Sequence, residues 1–146
     1  MLQPPREVVK NGRSSSVLVI EDDPDMRSLL VLMLEDRGHH VVAASDGREG
    51  LDVLRRETPD LILLDMKMPV MDGWEFARRY REEHSDPTPI VVMTAAEDPR
   101  QRAEEVGAAG WLGKPVELDR LYATIDEIAR PHGLSGEPAP VRPTRE

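Results

Sequence analysis

Short apolar runs alternate with amphipathic stretches along most of this 146-residue chain. Val17-Leu18-Val19-Ile20, Val41–Ala44, Leu61-Ile62-Leu63-Leu64, Ile90-Val91-Val92-Met93 and the brief Trp111-Leu112-Gly113 are apolar at consecutive positions, as strands buried on both faces are. Between them lie five helical patterns. Asp23 caps the first, with Pro24 at its opening position and an apolar stripe of Met26, Leu29, Leu30, Met33 and Leu34 up to Gly38. Asp46-Gly47 opens the second, which runs through Gly50, Leu51 and Leu54 and ends before Pro59. Asp72 caps the third, which carries Trp74, Phe76, Ala77 and Tyr80, and Asp98-Pro99 starts a short, mostly polar fourth that ends at Gly107. The last helix, over residues 117–130, spaces Leu118, Leu121, Ile125, Ile128 and Ala129 on one side and stops at Pro131.

Strict alternation of five strands and five helices predicts an α/β fold: a doubly wound, five-stranded parallel sheet with helices on both faces. The foldable domain is expected to occupy residues 16–130. Residues 1–15 are rich in Pro, Ser and charge without periodicity, and 131–146 hold four prolines. Neither can bury enough apolar area to offset its ordering entropy, so both are expected to be disordered extensions.

Composition narrows the chemistry. There is no cysteine, which excludes thiolate catalysis and Cys-based zinc sites. No apolar run approaches the ~20 residues of a membrane span, and the first residues lack the core of a signal peptide, so a cytoplasmic, soluble protein without membrane contact is expected. Segments 1–16 and 131–146 hold 5 basic and 3 acidic residues, leaving 14 of 19 basic and 25 of 28 acidic residues between them, a net of −11. Such a surface repels phosphate backbones, which argues against direct nucleic-acid binding.

The polar groups at the ends of the apolar runs carry the function. Asp65 follows Leu64, Glu21-Asp22-Asp23 follow Ile20, Thr94 follows Met93, and Lys114-Pro115 follow Gly113. If the strands are parallel, one sheet edge collects carboxylates, a hydroxyl and an ammonium, the outline of a divalent-metal and phosphoryl site. Taken singly, the acidic triplet reads as a solvated turn and Lys114 as a surface lysine; the joint pattern reverses this. Asp23 and Asp72 read as helix caps. His39 and His40 point to opposite faces of a strand and make no metal pair, while Met66, Met68 and Met71 read as loop-to-core packing.

Four stretches, VLVIEDDPDMR, LILLDMKMPVMDG, VVMTAAE and GAAGWLGKP, resemble the receiver domain of two-component response regulators in order and spacing, over roughly residues 16–130. The resemblance implies a flavodoxin-like strand order 2-1-3-4-5. It implies Asp65 as the acceptor of a phosphoryl group from a phosphohistidine of a sensor histidine kinase, making the chain a phosphoacceptor rather than an enzyme. Mg²⁺, with Mn²⁺ as an alternative, would be held by Asp22, Asp65 and the backbone carbonyl of Lys67, with Glu21 acting through a water. Glu21 departs from the commoner Asp there. Thr94, the backbone N–H of Ala95 and Lys114 would meet the phosphoryl oxygens. Thr94 and Trp111 hold the places of the switch pair, although Trp111 reads equally well as an ordinary edge-strand aromatic where the family has Tyr or Phe.

Lys67 and Ala96 are placed to set how long the phosphoryl group lasts: Lys67 by covering it, Ala96 by offering no polar group to an attacking water. Partners implied are the kinase and either a downstream target or a histidine phosphotransfer protein. They would meet the face of the fourth helix, fifth strand and fifth helix on a monomer or weak dimer. Rival functions fare worse. A flavodoxin-type carrier would not meet its phosphate with Glu21-Asp22-Asp23, and an Asp-x-Asp phosphatase would need a carboxylate where Lys67 stands. A transcription factor would need a DNA-binding domain, for which no pattern follows residue 130. The expectation is a single-domain, phosphorylatable regulator, with a phosphorelay intermediate or a non-phosphorylated docking module as alternatives.

Overall fold

The computed structural model describes residues 14–129 apart from Pro69. Ten elements alternate: β1 (Ser16–Ile20), α1 (Pro24–Asp36), β2 (His40–Ala44), α2 (Gly47–Leu54), β3 (Leu61–Asp65), α3 (Gly73–Glu83), β4 (Ile90–Thr94), α4 (Pro99–Val106), β5 (Gly110–Gly113) and α5 (Leu118–Ile128). The strands form one parallel sheet in the order β2-β1-β3-β4-β5. The doubly wound, flavodoxin-like architecture expected from the sequence is therefore the one observed.

Successive residues of the central strands feed opposite faces, which explains why those strands read as unbroken apolar runs. Val17, Val19, Leu61, Leu63, Val91 and Met93 pack under α1 and α5 with Leu30, Leu34, Leu121 and Ile125. Leu18, Ile20, Ile62, Leu64, Ile90 and Val92 pack under α2, α3 and α4 with Leu51, Leu54, Phe76, Tyr80, Ala103 and Val106. Every residue of β3 and β4 is buried, so the ends of these two strands are fixed by packing on both sides.

Local signals set the helix starts. Asp23, Asp46, Asp72 and Asp98 each accept a backbone N–H of the first turn, from Asp25, Glu49, Glu75 and Gln101 respectively. Each such cap contributes about 1 kcal/mol and fixes where the preceding loop ends. The fourth helix ends as expected, at Gly107 with φ 68°. Its last carbonyls are held from outside the helix: Arg81 of α3 donates to Val106 O and to Gly107 O, the latter at 2.9 Å.

Two boundaries differ from expectation. α5 ends at Ile128, where Ala129 turns to φ −58° and ψ 137° and leaves the helix. Ser14 and Ser15, assigned by composition to the disordered extension, are tied to the α1–β2 turn: Ser14 Oγ donates to Gly38 O at 2.9 Å and Ser15 N to His39 Nδ1 at 3.0 Å. The remaining extension residues lie outside the described part. His39 is buried and His40 exposed, so the two do point apart. Met66, Met68 and Met71 are buried in the α2–α4 side of the core, as expected.

Candidate functional site

The site lies where β1, β3, β4 and β5 end together. Asp65, the last residue of β3, is 2% exposed. Its Oδ1 accepts the Lys67 backbone N–H at 3.2 Å and meets Lys114 Nζ at 3.2 Å. The same ammonium lies 3.1 Å from Glu21 Oε1, so one cation bridges the ends of β1 and β3 from just beyond β5. Lys114 is delivered there by continuation of the sheet, its N–H donating to Thr94 O at 2.9 Å, and its peptide to Pro115 is cis.

Glu21 is the most deeply buried acid of the site, 1% exposed. Its Oε2 accepts the Asp23 N–H at 3.2 Å. Its Oε1 is paired with Lys114 by charge, but off the direction of a hydrogen bond, and so keeps free lone pairs in the cleft. Asp22 is half-buried beside it and Asp23 is exposed as the helix cap. The β1–α1 backbone is clamped by Arg27, whose Nη1 donates to Glu21 O at 2.9 Å and Asp22 O at 3.4 Å.

After Asp65 the chain folds back on itself. Gly73 N donates to Met66 O at 3.2 Å. A Cβ at Gly73 would sit 3.0 Å from Met66 Cα and 2.6 Å from Met66 Sδ, which is why the first residue of α3 must be glycine for the loop to close this tightly. Within the loop Val70 holds φ 71°, a left-handed conformation that a β-branched residue rarely adopts, with its side chain 72% exposed.

Electrostatics follow from the burial. Loss of water around Asp65, with the Glu21 charge beside it, pushes its carboxyl up to about 7, against the pull of the Lys67 N–H and the Lys114 ammonium. Burial alone would weaken the Lys114 ammonium, but Asp65 and Glu21 outweigh it and hold its pKa above the usual lysine value.

Glu21, Asp22 and Asp65 each offer a carboxylate oxygen within 4.8 Å of the others. Hard oxygen donors of this kind, one of them a buried atom with free lone pairs, fit a divalent cation such as Mg²⁺ or Mn²⁺ and are unsuited to soft metals. The carboxylates, Lys67, Thr94, Ala95, Ala96 and Lys114 all line one open cleft of about 540 Å³. The Thr94 hydroxyl accepts the Ala96 N–H at 3.0 Å. Lys67 is exposed at the cleft. Trp111 stands apart from it, on the outer strand, with 36% of its surface exposed and the Arg100 guanidinium 5.8 Å from its ring centroid.

Trp74 and Arg102 also line the cleft, and neither was singled out from the sequence. Trp74 read only as part of a helix stripe and Arg102 as one charge in a polar helix. The parallel topology, not a local motif, brings the starts of α3 and α4 to the same edge.

The model of a family described as the response regulator receiver domain matches residues 17–126. The chain is similar to transcriptional regulatory protein AfsQ1 of Streptomyces coelicolor, 41% identical over 117 residues that cover 79% of this chain and 51% of that protein. It is similar to an uncharacterised 14.6 kDa protein of Leptolyngbya boryana, 44% identical over 114 residues covering 76% and 87%. The chain thus spans about half the length of several curated relatives it matches, and most of the length of another.

Among solved structures, chemotaxis response regulator CheY4 of Vibrio cholerae superimposes with a TM-score of 0.71 at 34% identity, over 80% of this chain and 99% of that one. The receiver domain of sensor histidine kinase PA1611 from Pseudomonas aeruginosa PAO1, solved with a magnesium ion coordinated in its active-site cleft, gives 0.72 at 27% identity, over 80% and 98%.

Proposed function

The chain belongs to the response regulator receiver domain family, and from that premise we propose that it is a cytoplasmic single-domain response regulator phosphorylated on Asp65 by a sensor histidine kinase. The observation that carries this reading is the placement of the Asp65 carboxylate, buried at a strand end, in contact with Lys114 and beside Glu21 and Asp22.

In the transfer, an Asp65 carboxylate oxygen attacks the phosphorus of the kinase phosphohistidine. The phosphorus–nitrogen bond breaks, the imidazole leaves with its electron pair, and an acyl phosphate remains on Asp65. Asp22, Asp65 and the Lys67 carbonyl, with Glu21 through a water, are the groups that would hold Mg²⁺, and the similar PA1611 receiver has a magnesium ion coordinated in its active-site cleft. Mg²⁺ supplies charge neutralisation and in-line orientation for a phosphoryl group. Lys114 is already poised to follow the charge from carboxylate to phosphoryl oxygens, and Thr94 Oγ and the Ala95 N–H lie in the same cleft to donate to them. Burial and the neighbouring Glu21 charge hold the Asp65 carboxyl high, and a cation held among these carboxylates would offset the Glu21 repulsion and favour the ionised Asp65 that attacks.

Signalling would proceed by contact of the α4–β5–α5 face, including Trp111, with a target protein. A relay that hands the phosphoryl group to a histidine phosphotransfer protein is the second reading, favoured by Ala96, which brings no polar side chain to the cleft.

The test is incubation with acetyl phosphate and Mg²⁺, then with purified histidine kinases carrying labelled phosphohistidine. The natural chain should gain one hydroxylamine-sensitive phosphoryl group and Asp65→Asn none. Undiminished labelling of Asp65→Asn would overturn the assignment.

A further inference from the structure

Trp74 and Arg102 line the cleft above Asp65 without a part in the chemistry just described. They are joined through Glu105. One oxygen of Glu105 accepts from Trp74 Nε1 at 3.0 Å, and the other holds Arg102 Nη1 at 2.9 Å. This makes a bridge from Trp74 in the first turn of α3 to Arg102 of α4, the two residues of the trio that line the cleft. The side chains of Arg102 and Glu105 are 30% and 35% exposed. A partly solvated pair of this kind contributes little stability and exchanges readily for a stronger partner.

A phosphoryl group on Asp65 would be that partner. It brings roughly −1.5 to −2 charge at neutral pH into a cleft that already holds Glu21, Asp22 and Asp23. Lys114 is shared between two carboxylates before any phosphoryl group arrives. A guanidinium meets phosphate oxygens with two parallel donors, a geometry a single ammonium lacks. The new charge would also repel Glu105.

Resting on the reading of Asp65 as phosphoacceptor, we propose that Arg102 is a second phosphoryl-binding residue. It is parked on Glu105 and exchanges that carboxylate for the phosphoryl oxygens when Asp65 is phosphorylated. Glu105 then loses its cation, the Trp74–Glu105 hydrogen bond loosens, and the state of Asp65 is passed to the surface between α3 and α4. Bound Arg102 also covers the phosphoryl group against attacking water.

Of the two tryptophans in the chain, Trp111→Phe leaves Trp74 as the single tryptophan, excited selectively over the tyrosines. Fluorescence and intact mass are followed together on this protein with acetyl phosphate and Mg²⁺. Gain of a phosphoryl group should change Trp74 emission. Arg102→Ala in the same background should gain the group without that change and lose it several-fold faster once acetyl phosphate is removed. Glu105→Gln, which frees the guanidinium in advance, should keep the phosphoryl group at least as long as its parent.

An unaltered emission response in phosphorylated Arg102→Ala would overturn the proposal. So would faster loss in both Arg102→Ala and Glu105→Gln, because that marks a purely structural clasp. No mass gain by the natural chain would instead overturn the reading of Asp65, and this proposal with it.

Discussion

Lys114 Nζ meets Asp65 Oδ1 at 3.2 Å although β4 lies between the strands that carry them. The contact crosses the end of β4 at Thr94, so carboxylate, hydroxyl and ammonium are set by the register of three parallel strands. The residues of β3 and β4 that carry the site are buried throughout, and the cost of that burial falls on Asp65.

That cost predicts a pH-dependent effect of Asp65→Asn on stability. The folded carboxyl titrates at about 7, against 3.8 for an ordinary aspartate. Between those values the folded state binds more protons than the unfolded one, so the Asp65 contribution falls as pH rises through this window and is least favourable above it. Asparagine carries no such penalty. In EDTA, Asp65→Asn should melt several degrees above the parent at pH 8, with the gain shrinking as pH is lowered toward 4. A gain that does not vary with pH would contradict the assignment of strain to this carboxyl.

Mg²⁺ should raise the melting temperature of the natural chain by mass action, and chelation should reverse the rise. Asp22→Asn should remove most of the response while making the metal-free protein slightly more stable, because it relieves repulsion with Glu21 and Asp65. Titration calorimetry checks the same point directly. Unchanged Mg²⁺ stabilisation in Asp22→Asn would exclude Asp22 as a ligand.

Val70 should be improvable. Its φ of 71° costs a β-branched residue on the order of 1–3 kcal/mol, while its side chain is 72% exposed and buries little in return. Asparagine tolerates this conformation. Val70→Asn should therefore gain about 1 kcal/mol in denaturant unfolding. A loss of stability would mean that Val70 packs on the loop more than its exposure indicates.

Local rules made most of the scaffold legible. The four aspartate caps, the strand runs and the glycine end of α4 each depend on neighbours within a few residues, and each is found where the pattern put it. The ends of β1, β3, β4 and β5 follow from parallel pairing, so Glu21, Asp65, Thr94 and Lys114 were foreseeable as a cluster once the topology was granted. What escaped were contacts between distant segments that leave no local mark. Trp74 and Glu105 are 31 positions apart, and Arg81 reaches 25 and 26 positions to the end of α4. The hydrogen bond from Ser15 to His39 anchors a segment whose composition alone reads as disordered. The left-handed Val70 runs against its own residue preference, so no propensity argument could have found it.

The lifetime of the phosphoryl group depends on water reaching the phosphorus in line, attacking it as the bond to the Asp65 oxygen breaks and inorganic phosphate leaves. Lys67 lies at the cleft with its N–H on Asp65 Oδ1, and its exposed side chain is long enough to lie over a group on that carboxylate. Ala96 occupies the same cleft without a polar side chain to orient a water. Lys67→Ala should therefore speed loss of the phosphoryl group, and Ala96→Glu should do so by supplying an acceptor for the attacking water. Each change corresponds to ~1 kcal/mol of barrier, a several-fold change in rate. Phosphate release at saturating Mg²⁺ measures both. If Lys67→Ala decays at the parent rate or more slowly, the side chain extends into solvent and contributes only its backbone, and the lifetime is governed from the α4 side of the cleft instead.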